Sequence, residues 1–318
     1  MSLFGETEAE RFPATGVVND NGPVRFTYEA GTEAPFVEHV LVHELSHLYQ
    51  TDERLRTFSE NRDLRFEQTT EGRYLSRAVL EGAPTFIADE YVREYLPDTR
   101  TQSEEIDARW DSFGISRRAM WSGHYFGAQY MHARFESPRQ LHEVYENPPQ
   151  TTAQLLHPER APDPATLSVD SNTSNSPWDL SNRDVRGELY LRVLLSPELG
   201  DEAAAKASTG WGMDRDLVYY RNADASHAWV LRWDDTQNAT EFQSAFESFL
   251  GARAEPTGNG TWTFEDHTFR VERPDPKTVT VVWGEPDFVG NTTVESEDGT
   301  VIVTPPETVS STGVSRHS

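Results

Sequence analysis

The chain has 318 residues, 53 acidic against 28 basic, a formal net charge of -25 and no cysteine. That length can bury one large core or two ordinary ones. Disulfides, thiol catalysis and thiolate metal ligands are excluded, and the acidic surface argues against nucleic acid as a partner.

Only Lys206 and Lys277 are lysines; every other cation is an arginine. This composition suits very high salt, where carboxylates hold water and dense ions screen their repulsion to within about 3 Å at 1 M. In chain order, residues 1–22 read as an irregular lead-in with neither the basic region nor the apolar run of a signal peptide. Residues 23–30, "PVRFTYEA", alternate as an edge strand. Helix-start chemistry at 32–35 precedes Phe36, Val37, Val40, Leu41, Leu45 and Leu48, whose spacing predicts a helix to about residue 51. A charged connector, 52–73, leads to a second helix at about 74–95, with Pro84 inside it or at a break. Residues 101–147 read as helical and aromatic-rich, and a proline-rich loop follows with a short helix at Thr152–Leu156. The small polar residues of 168–179 predict a linker. Helices at about 182–195 and 199–208, strands at 216–221 and 227–233, a helix at 238–251 and strands near 261–264, 267–272 and 278–284 come next. Residues 286–318 read as a flexible tail. No apolar run reaches the length of a membrane span.

The chemistry concentrates in "LVHELSHLYQ", 41–50. His43 and His47 lie four apart and share one helix face. Two imidazoles so placed can hold one zinc ion at about 2.0–2.1 Å each. Glu44 points about 100° away from His43, poorly placed to ligate but able to act as a base toward water at the metal. His39 shares the face and reads as packing or as support for the ligands. Catalytic zinc takes three protein ligands, so one must come from elsewhere. "AVLEGAPTFIADEY" offers Glu81, with small neighbours Gly82 and Ala83 that admit a second helix, and Thr85 one turn on to bond a ligand imidazole. Glu71, Asp89 and Glu90 are its rivals. For oxyanion stabilisation, His157 in the proline-rich loop is the first candidate, followed by Tyr125 and His124.

H-E-x-x-H followed by a glutamate in an E-G-x-x-T setting resembles the gluzincins, the thermolysin-like branch of zinc metallopeptidases. More widely, "VEHVLVHELSHLYQ", "AVLEGAPTFIADEYV", "NPPQTTAQLLHPE", "GELYLRVLL", "STGWGMDRDLVYY" and "WDDTQNATEFQSAF" resemble a haloarchaeal cell-surface protein family carrying this signature. The resemblance implies His43, His47 and Glu81 as zinc ligands, Glu44 as the base, and a location at the cell surface or outside the cell. The expected fold class is α+β: a mostly helical zincin-like metallopeptidase core with an N-terminal edge strand, followed by a smaller α+β region. The expected division is a lead-in at 1–22, a zinc-binding region at 23–167, a linker at 168–179, an accessory α+β region at 180–285 and a tail at 286–318. The expected function is zinc-dependent hydrolysis of peptide or protein substrates. A substrate would lie along the edge of 24–30, and Glu44 would take a proton from water and pass it to the leaving amine. The alternatives are a catalytically inactive surface binding protein and a zinc hydrolase of non-peptide amides.

Overall fold

The computed structural model describes residues 12, 14–17, 24–50, 66–160, 162–258 and 260–308. Most of the expected charged connector lies outside these residues, as do much of the lead-in and the last ten residues of the tail. The chain forms two compact units. Unit 1 comprises Met1–Pro164 with Arg186–Thr209, and unit 2 comprises Ala165–Val185 with Gly210–Ser318.

Unit 1 opens with an antiparallel pair, β1 (Ala14–Val17) and β2 (Arg25–Tyr28). The helices α1 (Ala34–Gln50), α2 (Thr70–Tyr95), α3 (Gln102–Trp110) and α4 (Ile115–Arg134) follow. After a short 3-10 turn come α5 (His142–Glu146) and α6 (Thr152–Leu156); α7 (Gly187–Leu199) and α8 (Asp201–Ser208) complete the unit. The starts of α2, α3 and α6 are capped by the side chains of Thr69, Thr101 and Thr151, which accept from backbone N–H groups that have no partner within the helix. Leu75, Val79, Ala83 and Phe86 form a stripe along α2 that packs with Met131 of α4, Leu155 of α6 and Leu189 and Val193 of α7.

Helices α2 and α4 touch backbone to backbone. A Cβ placed on Gly82 would lie 2.5 Å from Gly127 Cα, and one on Gly127 would lie 2.9 Å from Gly82 Cα. Only glycine at both positions permits this approach. Arg118 of α4 ties α7 and α8 to the same body. Its side chain donates to Phe113 O at 2.9 Å and to Ser196 Oγ at 3.0 Å, and pairs with Asp201.

Unit 2 contains β3 (Ser168–Ser171), β4 (Asp179–Asp184), β5 (Trp211–Arg221), β6 (Asp224–Trp233), α9 (Thr236–Arg253), β7 (Glu255–Gly258), β8 (Thr261–Phe264), β9 (His267–Asp275), β10 (Thr278–Gly284), α10 (Pro286–Asn291), β11 (Thr293–Glu297) and β12 (Thr300–Thr304). Seven strands form one antiparallel sheet in the order β4-β5-β6-β10-β9-β8-β7; a second sheet runs β11-β12-β3, with β12 parallel to β3. Trp178, Leu217, Tyr219, Val230, Val282, Phe288, Val301 and Val303 share one core.

This architecture corrects the expected fold class. A mostly helical zincin-like core with a smaller appendage does not describe a chain whose second unit is built on a seven-stranded antiparallel sheet and a further three-stranded one. The expected linker at 168–179 instead contains β3 and the fully buried Trp178, and Asn172 N donates to Val303 O at 2.9 Å. The expected tail supplies α10, β11 and β12. Residues 186–209, expected in the accessory region, belong to unit 1, because Leu189 and Val193 fill its core. Among the described residues, no helix is long and apolar enough to cross a membrane.

Candidate metal centre

The third and fourth turns of α1 present His43 and His47 side by side, with Nε2 atoms 3.2 Å apart. Glu81 arrives from α2, its Oε2 3.5 Å from His43 Nε2 and 3.4 Å from His47 Nε2. Two ligands at about 2.05 Å from a tetrahedral zinc ion are about 3.3 Å apart. The three atoms therefore already form a near-equilateral triangle of the size one zinc ion requires, and the donor set, two imidazoles and a carboxylate, suits it.

The imidazoles are held in the tautomer that leaves Nε2 for a metal. His43 Nδ1 meets Gln102 Oε1 at 2.8 Å, and His47 Nδ1 meets Gln50 Oε1 at 2.8 Å. An amide oxygen only accepts, so each Nδ1 carries the proton. Gln50 is itself fixed: its Nε2 donates to Leu80 O and to Tyr145 Oη, each at 3.0 Å. Pro84 explains why Leu80 O is available. It sits four residues later in α2 and has no N–H to offer that carbonyl. A residue that reads as a helix fault in the sequence thus opens an acceptor for the amide that orients His47.

His124 of α4 is the fourth polar member. Its Nε2 lies 3.3 Å from Glu81 Oε2, and its ring stacks on His43 at 5.4 Å and packs against Trp121 at 4.6 Å. Its Nδ1 is buried without a hydrogen-bond partner among the described residues. Burial pushes the His124 pKa down to about 4, with the His43, His47 and Arg77 charges adding and Glu81 opposing. Burial acts to raise the Glu81 pKa, but His124, His43 and His47 outweigh it and hold the carboxyl well below its usual range. Burial likewise acts to lower His47, yet the bond and charge of Glu81, with Gln50 and Glu44, raise it. A cation binding at His47 therefore competes with a proton that these neighbours favour.

These groups line a cleft of about 450 Å³, with Glu44 and Arg77 at its polar wall and Phe12, Met120 and Trp121 opposite in character. Glu44 is buried, and Gly16 of β1 packs directly on its side chain: a Cβ on Gly16 would lie 2.6 Å from Glu44 Cδ. The strand beside the cleft is β1, from the expected irregular lead-in, whereas the expected edge strand survives as β2, β1's partner.

The structure brings His43, Glu44, His47 and Glu81 together and leaves His157 out. His157 ends α6, with Nε2 2.9 Å from Glu188 Oε1 and Nδ1 accepting from Arg160 Nη2 at 2.7 Å, and it is not part of the cleft wall. Both ring nitrogens are used in that network, so its expected role toward an oxyanion is corrected. The rival ligands are also occupied elsewhere. Glu71 accepts from Thr152 N at 2.6 Å and Oγ1 at 2.8 Å, Asp89 accepts from His132 Nε2 at 2.8 Å, and Glu90 pairs with Arg93. Thr85 donates to Glu81 O at 2.8 Å and supports no imidazole. Tyr125 donates to Asp107 at 2.9 Å and stacks on Trp110. His39 is buried against Phe36.

A family described as a domain of unknown function (DUF8575) matches residues 177–301. No curated protein and no solved structure matches the chain. The matched stretch begins after every residue of the metal centre, so it does not bear on that chemistry.

The sequence carries a signal for the place of His124. Gly123 and Gly127 of α4 are four apart, as are Ala78 and Gly82 of α2. Two such small-residue pairs mark a close crossing, and a crossing at Gly82 and Gly127 sets His124 beside Glu81.

Proposed function

We propose that this chain is a zinc-dependent peptidase that uses the gluzincin ligand set. The observation that carries the reading is the triangle of His43 Nε2, His47 Nε2 and Glu81 Oε2, with sides of 3.2 to 3.5 Å, and Glu44 in the same cleft. Zinc bound there supplies Lewis acidity and makes water a stronger acid at neutral pH. His43 and His47 hold their positions through Gln102 and Gln50. The carboxylate of Glu44 takes a proton from the attacking water and delivers it to the departing amine nitrogen. His124, neutral and beside Glu81, is the donor available to charge developing on the carbonyl oxygen of the substrate, the role the sequence suggested for His157. The apolar wall of Phe12, Met120 and Trp121 offers a surface for the side chains of a peptide.

Glu44→Gln tests the reading, because it keeps the shape and removes the basicity. The variant should bind zinc as the parent does and lose cleavage by about 10²–10⁴. Unchanged cleavage, or loss of zinc on this substitution, would refute the role of Glu44. The contact between Gly16 and Glu44 favours a second reading, in which β1 closes the base off and the zinc-bearing unit only binds. The parent protein, fully loaded with zinc, then cleaves no peptide.

A further inference from the structure

We propose that Arg77 receives a carboxylate of the bound peptide, so that the cleft selects substrates with an acidic group near the scissile bond; this rests on the peptidase reading. Arg77 lies one turn before Glu81 on α2, and positions four apart share a helix face. It lines the same cleft as the metal ligands and is exposed there.

Arg77 makes no ion pair and no side-chain hydrogen bond among the described residues, in a chain with 53 carboxylate side chains. By contrast Arg93 is held by Glu90, Arg109 by Glu105 and Arg192 by Glu188. Of the carboxylates lining the cleft, Glu105 is held by Arg109, Glu81 faces the metal position and Glu44 faces β1. Among the described residues that line the cleft, Arg77 is the one lysine or arginine.

Its starting point is fixed. A Cβ on Gly123 would lie 2.9 Å from Arg77 O and 3.1 Å from Arg77 Cβ, so α4 clamps the backbone from which the side chain extends. A planar guanidinium on a rigid base suits two-point recognition of a carboxylate. At molar salt longer-range attraction is screened, so discrimination between peptides then reports direct contact with Arg77.

The carboxylate has two possible sources, an Asp or Glu side chain or the free end of a peptide. Calorimetric binding to zinc-loaded Glu44→Gln protein at molar salt separates them without turnover. Four peptides share one Ala-Phe-Gly framework: amidated with an internal Glu, amidated with Gln, amidated with Lys, and the Gln peptide with a free terminus. The Glu peptide or the free-terminus peptide should bind about tenfold tighter than the amidated Gln peptide. The better of the two identifies the source. Adding Arg77→Gln should remove the advantage, and Arg77→Glu should shift the preference to Lys. Equal binding of all four peptides, or an advantage that persists in Arg77→Gln, would overturn the proposal. Cleavage by the parent protein is measured in parallel. Charge discrimination without cleavage removes the peptidase reading and leaves the anion site, whereas cleavage blind to charge does the reverse.

Discussion

Replacing Gly82 with alanine tests whether the helix crossing sets the metal centre. The new methyl would sit 2.5 Å from Gly127 Cα, on backbone that cannot rotate away. Carbon atoms pack at about 3.5–4.0 Å, so α2 and α4 must separate by about 1 Å. Overpacking of this kind costs about 1–3 kcal/mol, while alanine returns about 1 kcal/mol of helix preference, leaving a net loss of up to about 2 kcal/mol. Glu81 is the residue immediately before Gly82, and metal sites tolerate about 0.2 Å in their bonds. Zinc affinity, read by competition with a chromophoric chelator, should therefore fall at least tenfold, with a lower Tm in the same samples. Gly251→Ala is the control: it lies in α9 with nothing within 4 Å of its added Cβ. It should raise stability by up to about 1 kcal/mol and leave zinc untouched. A Gly82→Ala protein with parental Tm and zinc affinity would refute the claim that the crossing positions Glu81.

Glu81→Gln should weaken zinc binding strongly, whereas Glu71→Gln should lower stability through the lost Thr152 contacts and leave zinc affinity alone; chelator competition beside a thermal melt separates the two. Gln50→Leu removes the acceptor of His47 Nδ1 and should cost roughly 10–100-fold in zinc affinity, read in the same competition. In metal-free protein, the raised pKa of His47 means that its contribution to stability is full below its unfolded value near 6.5 and is lost as pH rises through the folded value. The Tm difference between chelator-treated parent and His47→Gln should therefore shrink as pH rises, while stabilisation of the parent by added zinc grows over the same window. A difference that widens with pH would contradict the raised pKa of His47.

Local periodicity is enough to read α1, α2 and α6, and the strands near 261–264, 267–272 and 278–284, the second of which runs on to Asp275, because each is long or strongly patterned. Spacing on α1 also pointed to His43 and His47, and the small residues after Glu81 pointed to α2. What was illegible depends on remote partners. Ser168–Ser171 is polar and short, and becomes a strand only because Thr300–Thr304 lies parallel beside it. Trp178 looks like an isolated aromatic in a polar run until Tyr219 and Phe288 enclose it. The size of the strand-rich unit, and hence the fold class, was lost with these pairings. His157 misled because an imidazole in a proline-rich loop looks available, while the buried Glu188 that binds it lies 31 residues on.

The route of the chain between its two units also bears on the order in which they are made. Unit 1 is interrupted at Pro164 and resumes at Arg186, so α7 and α8 reach it only after 165–185 have been synthesised. A ribosome that has released residues 1–164 has exposed both ligand helices but not Leu189 or Val193, the plug of their core. Unit 2 waits longer still, since β3 emerges first of its strands and its neighbour β12 follows only after β4 to β11. Neither unit can be cut out as one continuous stretch: a nascent chain keeps unit 1 open until Arg186–Thr209 has followed, and unit 2 open until β12 has joined β3. Stalled or truncated products should accordingly be substrates for chaperones and proteases rather than half-sized working proteins.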